Sequence, residues 1–98
     1  MLHIEPSPAL EAFCKKWHVQ KLCLFGSALR EDFDESSDVD LLVDFEPDAP
    51  ISQWDWGPML EELQAIFGRR VDLVARAAIK NPLRRRYILA NTRTLYAA

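Results

Sequence analysis

Asp38 and Asp40 stand two positions apart in the run DVDLLVDF, residues 38–45. In an extended strand that spacing puts both carboxylates on one face, with Cα atoms about 6.5–7 Å apart. A hard divalent cation with oxygen ligands is the partner such a pair can share. Without one, two charges at about 5 Å and an effective dielectric near 20 repel by about 3 kcal/mol before screening. The plainer alternative is a solvated acidic sheet face. A third carboxylate, Asp72, sits between Val71 and Leu73 in RVDLVA, residues 70–75. If its strand neighbours the acidic one, three acids face one cavity. Two can hold magnesium, while the third ligates a second metal or takes a proton from an attacking hydroxyl. Upstream, Gly26-Ser27 ends an apolar run. Glycine there lets a phosphate approach the backbone closely, and a following helix start supplies free N–H groups. A Gly-Ser pair alone is a common turn; its place before the paired acids gives it weight. A calcium-loop reading of Asp32, Asp34 and Ser36 fails, because the sixth position is Ser37 rather than Gly and the twelfth is Val43 rather than Glu.

The elements that must position these groups follow from periodicity. Ser7-Pro8 suits a helix cap and first-turn proline, and Leu10, Phe13, Cys14 and Trp17 recur at helical spacing. VQKLCLF, residues 19–25, is apolar at its end and stopped by Gly26, the pattern of a buried strand. Residues 27–32 predict a short helix and 33–37 a polar loop. In 38–45, Val39, Leu41, Val43 and Phe45 point one way and Asp38, Asp40, Leu42 and Asp44 the other. Ser52 can cap a helix whose Trp56, Leu60, Leu63 and Phe67 share a face and which Gly68 stops. Residues 70–75 predict a third strand, and Asn81-Pro82 opens a last helix running to about Tyr96. The order α-β-α-β-α-β-α implies an α/β (α+β) fold with helices packed on one small sheet. Residues 46–69 are long enough for a crossover between the second and third strands, whose pairing sense is left open.

The chain has 98 residues, 49% of them hydrophobic, and a formal charge of −3. It is expected to form one domain, 1–98, too small for two lobes around a cleft, so an enzyme of this size borrows part of its substrate site. No apolar run approaches a membrane span, and the start MLHIEPSPALEAF carries no secretory pattern, so a cytoplasmic protein without membrane attachment is expected. Cys14 and Cys23 match no metal spacing and read as reduced, core-filling thiols. Residues 1–50 hold 4 Lys/Arg against 11 Asp/Glu, and residues 51–98 hold 8 against 4. The acidic balance argues against stable DNA binding.

Gly26 to Phe45, GSALREDFDESSDVDLLVDF, has the form G-S, ten residues, D-x-D. With VDLV at 71–74, it resembles the minimal nucleotidyltransferases of the DNA polymerase beta superfamily, and the resemblance runs from about residue 19 to the end, its motif region being 19–76. YILANTRTLYAA looks like that family's final helix. The resemblance implies a small nucleotidyltransferase domain with a mixed sheet. It implies transfer of a nucleoside monophosphate from a nucleoside triphosphate, ATP, with release of pyrophosphate. Two Mg²⁺ ions would lie on Asp38, Asp40 and Asp72, with Gly26 and Ser27 holding the triphosphate. Arg30, a position often Arg in the family, would reach a phosphate. Members commonly serve as antitoxins to HEPN-domain ribonuclease toxins, and some attach AMP to a tyrosine of the toxin. That chemistry agrees with the residues, since in-line phosphoryl displacement needs charge neutralisation more than a protein nucleophile.

Around this set, Arg69, Arg70, Arg84, Arg85 and Arg86 suit nucleotide or partner contacts or a solvated basic face. Asp44 is too far along its strand to serve as a ligand. Trp56 reads as core. Core packing is also the leading expectation for Trp54, with partner contact or base stacking behind it. His3 and His18 lie outside the motif. Three functions compete: an adenylyltransferase antitoxin, an antitoxin that works by binding alone, and a nucleotidyltransferase acting on RNA or a small molecule.

Overall fold

The computed structural model describes residues 7–26 and 38–98. Helix α1 (Pro8–Lys16) starts where expected, with the Ser7 hydroxyl accepting from Leu10 N at 3.2 Å and Pro8 in the first turn. Strand β1 (Val19–Phe25) follows a two-residue turn. Strand β2 (Val39–Phe45) leads through a short 3₁₀ turn (Gln53–Asp55) into α2 (Trp56–Phe67). Asp55 Oδ2 accepts from Ser52 N at 2.9 Å, which anchors the turn ahead of that helix. Gly68 ends α2 in the left-handed conformation, φ 68°. Strand β3 (Val71–Ala75) and a second 3₁₀ turn (Arg76–Ala78) precede α3 (Pro82–Ala90). The predicted helix over 27–32 and loop over 33–37 lie outside the described residues.

One expectation fails at the end of the chain. The last helix stops at Ala90, and Thr92–Ala97 forms a fourth strand, β4. Asn91 closes the helix, its side chain donating to Tyr87 O at 2.8 Å. Beyond it, the β-branched Thr92 and Thr94 suit a pleated strand better than a helix. A free edge of β1 completes the case: β4 pairs with it antiparallel, so backbone groups that a helix would satisfy internally are satisfied in the sheet.

The sheet order is β3-β2-β1-β4. Strands β1 and β2 are antiparallel, and β2 and β3 are parallel, joined by the α2 crossover. Both faces are covered. On one, Leu22, Leu24, Val39, Leu41, Val43, Val71 and Leu73 pack under α1 and α2 with Phe13, Met59 and Leu63. On the other, Cys23, Phe25 and Leu42 pack with Ile79 and with Ile88 of α3. Each fully buried aliphatic side chain contributes about 1.5–3 kcal/mol. Helices α1 and α2 are also tied through Glu62, whose carboxylate accepts from Trp17 Nε1 and Lys16 Nζ, both at 2.9 Å. Trp56 is core as expected, edge-on to Phe45 with ring centroids 6.3 Å apart. Trp54 is not: it is 82% exposed. It lies on the 3₁₀ turn ahead of α2, where only the second aromatic of the WDW triplet rotates onto the core. No described helix is long and apolar enough to cross a membrane.

Candidate active site

The alternation of β2 sends Val39, Leu41 and Val43 into the α1/α2 core and leaves Asp38, Asp40, Leu42 and Asp44 on the other face. Residues abreast in neighbouring strands share a face, and the register brings Asp72 of β3 directly abreast of Asp40. Continuing across the sheet, Phe25 of β1 pairs with Asp40, and Thr92 of β4 pairs with Phe25. One transverse row therefore reads Asp72, Asp40, Phe25, Thr92, at the end of the sheet where β2, β3 and β4 begin and β1 finishes. Phe25 drops into the small core with Leu42 and Ile88. The row thus holds two carboxylates and a hydroxyl above an apolar floor.

Gly26 follows Phe25 and closes on Asp40. Its φ is +63°, a conformation that strains any residue with a side chain, and a Cβ built on it would lie 2.6 Å from Asp40 Oδ2. Glycine is required here on both counts, the backbone turn and the space the Asp40 carboxylate occupies. Ser27 and Arg30, the expected triphosphate contacts, lie outside the described residues, as does His3.

Asp38 stands just before β2, one pleat out from Asp40 and exposed. Its Oδ1 is 3.5 Å from Arg70 Nε, and Val39 N donates to Arg70 O at 2.9 Å, so the start of β3 stands beside Asp38. The expected convergence of all three acids is therefore incomplete: among the described residues, no three His, Cys, Asp or Glu side chains gather closely enough to hold one ion. Asp38 leans instead toward Arg70. That ion pair joins two exposed side chains, and such pairs are worth about 0–1 kcal/mol. It is too weak to keep Asp38 from a divalent cation. The donor set is otherwise what magnesium takes, a few carboxylates with open positions for substrate oxygens.

The remaining candidates separate by position. Asp44 is at the far end of β2, bonded to Arg76 Nη1 at 3.2 Å. His18 is also at that end, beside Glu46. Trp54 is exposed on the turn ahead of α2, two residues before Trp56, which packs edge-on to Phe45 at that end of β2. Arg84, Arg85 and Arg86 are exposed along α3. Thr92 comes abreast of Phe25 only because the chain after Asn91 is a strand, for which the alternating Thr92 and Thr94 are the sequence signal. A cavity of about 480 Å³ between the start of α1 and β4, lined by Ser7, Leu10, Glu11, Leu95 and Tyr96, lies on the opposite face from Asp40.

Comparison with known proteins agrees with this arrangement. The sequence profile of the family described as "Nucleotidyltransferase domain" matches residues 7–95. The protein adenylyltransferase MntA of Thermococcus cleftensis is 37% identical over 67 residues, 68% of this chain and 66% of that protein. A solved structure described as a candidate minimal nucleotidyltransferase is 29% identical, with TM-score 0.70 over 87% of this chain and 84% of its own. A toxin–antitoxin crystal structure with AMP-PNP shares the fold at 16% identity, with TM-score 0.72 over 92% of this chain and 72% of its own. With strand order, paired carboxylates and family profile all in agreement, the chain belongs to the nucleotidyltransferase domain family and is an enzyme of that class.

Proposed function

We propose that this chain transfers AMP from ATP, with Mg²⁺, to a protein hydroxyl, a tyrosine of a cognate HEPN-domain ribonuclease toxin, and so acts as an antitoxin in the cytoplasm. The observation that carries the reading is the abreast pairing of Asp40 with Asp72 beside a glycine that only a bare Cα fits. Asp38 and Asp40 would hold Mg²⁺, with Asp72 as a further ligand or as the base for the acceptor hydroxyl. When bound, Mg²⁺ neutralises the charge that develops on the phosphate oxygens. Gly26, Ser27 and Arg30 would hold the triphosphate, Gly26 by letting it approach the backbone. The acceptor hydroxyl would come from a second protein. The relative named a protein adenylyltransferase and the toxin–antitoxin fold neighbour support a protein acceptor.

The test is incubation with ATP labelled on the α-phosphate, Mg²⁺ and a cognate HEPN-domain protein. Label should appear on a tyrosine of the acceptor, and Asp40→Asn should abolish it. Neutralisation of the toxin at stoichiometric dose by a chain carrying Asp38→Asn and Asp40→Asn would establish an antitoxin that works by binding alone. Label on RNA or a small molecule, with none on protein, would give the third reading.

A further inference from the structure

The segment 73–98 contains six Lys/Arg and no Asp or Glu, in a chain whose overall charge is −3. Half of those cations, Arg84, Arg85 and Arg86, are consecutive on α3 and exposed. The same helix leaves two large apolar side chains in water: Leu83 is 77% exposed and Tyr87 70%. They are four residues apart, so they form one stripe. At 100° per residue Arg84 and Arg86 fall about 80° to either side of it. Away from the stripe, the C-terminal half of α3 packs on the sheet, with Ile88 buried in one cluster with Phe25 and Leu42.

The stripe is next to the reacting end of the sheet. Asn91 bonds back to Tyr87 O, and β4 begins at Thr92, abreast of Phe25, which is itself abreast of Asp40. Tyr87 is in the last turn of α3, which leads through Asn91 into Thr92 at the edge of that row. Through Ile88, α3 packs on the same face of the sheet as Phe25 and Leu42, the face that carries Asp40, so a macromolecule seated on α3 is on the Asp40 side.

We propose that the outer face of α3, Leu83 and Tyr87 flanked by Arg84 and Arg86, docks the acceptor protein, through an apolar side chain set among Asp or Glu carboxylates. This rests on the transfer reaction proposed above and adds the surface that selects its acceptor. The basic flanks fit an acidic partner, and the desolvated centre fits an aromatic anchor of the kind that dominates protein interfaces. A protein is favoured over RNA because Leu83 has no face for base stacking. Asp38, Asp40 and Asp72 would also repel a phosphate backbone crossing the same sheet end.

The experiment compares the full chain with a Leu83→Ser/Tyr87→Ser variant and an Arg84→Glu/Arg86→Glu variant. Each is first shown to melt like the parent. Binding to a cognate HEPN-domain protein is measured by titration calorimetry, labelled transfer is followed as a function of acceptor concentration, and ATP binding is measured without acceptor. Both variants should bind the acceptor at least about ten-fold more weakly, a change of about 1.4 kcal/mol. The acceptor KM should rise with kcat retained, and ATP affinity should not change. Equal acceptor affinity for parent and variants would overturn the surface while leaving the transfer reaction intact. Weakened binding by the variants, with no transfer by the parent, would support the surface and remove the enzymatic reading. A parent that binds no acceptor, or variants that lose only a 20-nucleotide single-stranded RNA, would overturn the proposal.

Discussion

Gly26→Ala tests the site with the fewest assumptions, because Gly68 provides a matched control. Both glycines have nearly the same left-handed backbone, φ +63° and +68°, but an added Cβ meets Asp40 Oδ2 at 2.6 Å in one and nothing within 4 Å in the other. Left-handed backbone costs a non-glycine residue about 1 kcal/mol, and Gly68→Ala should lose about that much. Gly26→Ala adds a steric demand: the contact is about 0.8 Å short of the 3.4 Å at which ordinary van der Waals distance begins. The Asp40 carboxylate must turn away, and an off-rotamer side chain costs a further 0.5–1.5 kcal/mol or so. The expected losses in urea unfolding are about 2 kcal/mol for Gly26→Ala and about 1 kcal/mol for Gly68→Ala. With Asp40→Ala already in place the obstruction is gone, so Gly26→Ala should then cost about 1 kcal/mol, giving a coupling near 1 kcal/mol in the double-mutant cycle. Displacing a reacting group by about 1 Å can lower a rate about 100-fold. Labelled transfer should therefore fall by about that factor in Gly26→Ala and persist in Gly68→Ala. Equal stability losses at the two glycines, no coupling to Asp40, or full transfer by Gly26→Ala would refute the contact as the reason for glycine.

Other consequences are quicker to check. Asp72→Asn removes one of two like charges abreast in neighbouring strands, so the metal-free chain should gain about 0.2–1 kcal/mol by thermal melting at low salt, and lose that gain in 1 M NaCl, while transfer is abolished. Trp17→Phe breaks the 2.9 Å bond from the indole N–H to the Glu62 carboxylate and should lower urea stability by about 1.5–3 kcal/mol; an unchanged midpoint would make that link between α1 and α2 incidental. Burial pushes the Cys14 thiol up from 9.0 to about 12, with Glu11 acting in the same direction. The unfolded chain then releases this proton first as pH rises. The contribution is fully present below pH 9 and is lost between pH 9 and 12, at up to about 1.4 kcal/mol per pH unit, a slope that Cys14→Ala should remove from the stability profile.

Much of the site was legible locally. The alternation of 38–45 put Asp38 and Asp40 on the face away from the α1/α2 core, and the apolar run ending at Gly26 marked where a strand must turn. Side-chain direction in a strand depends only on backbone geometry, so a sequence carries it without a partner. The structure agrees in the β1 boundaries and in β2 and β3 to within one residue. Trp54 could not be judged in the same way. Periodicity says which of two nearby aromatics shares a face with the core only once the helix start is known, and a 3₁₀ turn intervenes before Trp56.

What the sequence determined by itself is the set of chemical groups, their strands and the face each occupies. Tertiary structure decided that β3 lies parallel to β2 in the register that brings Asp72 abreast of Asp40, and that Gly26 packs on the Asp40 carboxylate. It also decided that the chain after Asn91 is a strand. The physical reason is common to all of these. Register and strand choice come from hydrogen bonds and packing between segments far apart in the chain, and an edge such as that of β1 can draw Thr92–Ala97 out of a helical pattern only once β1 is already in the sheet.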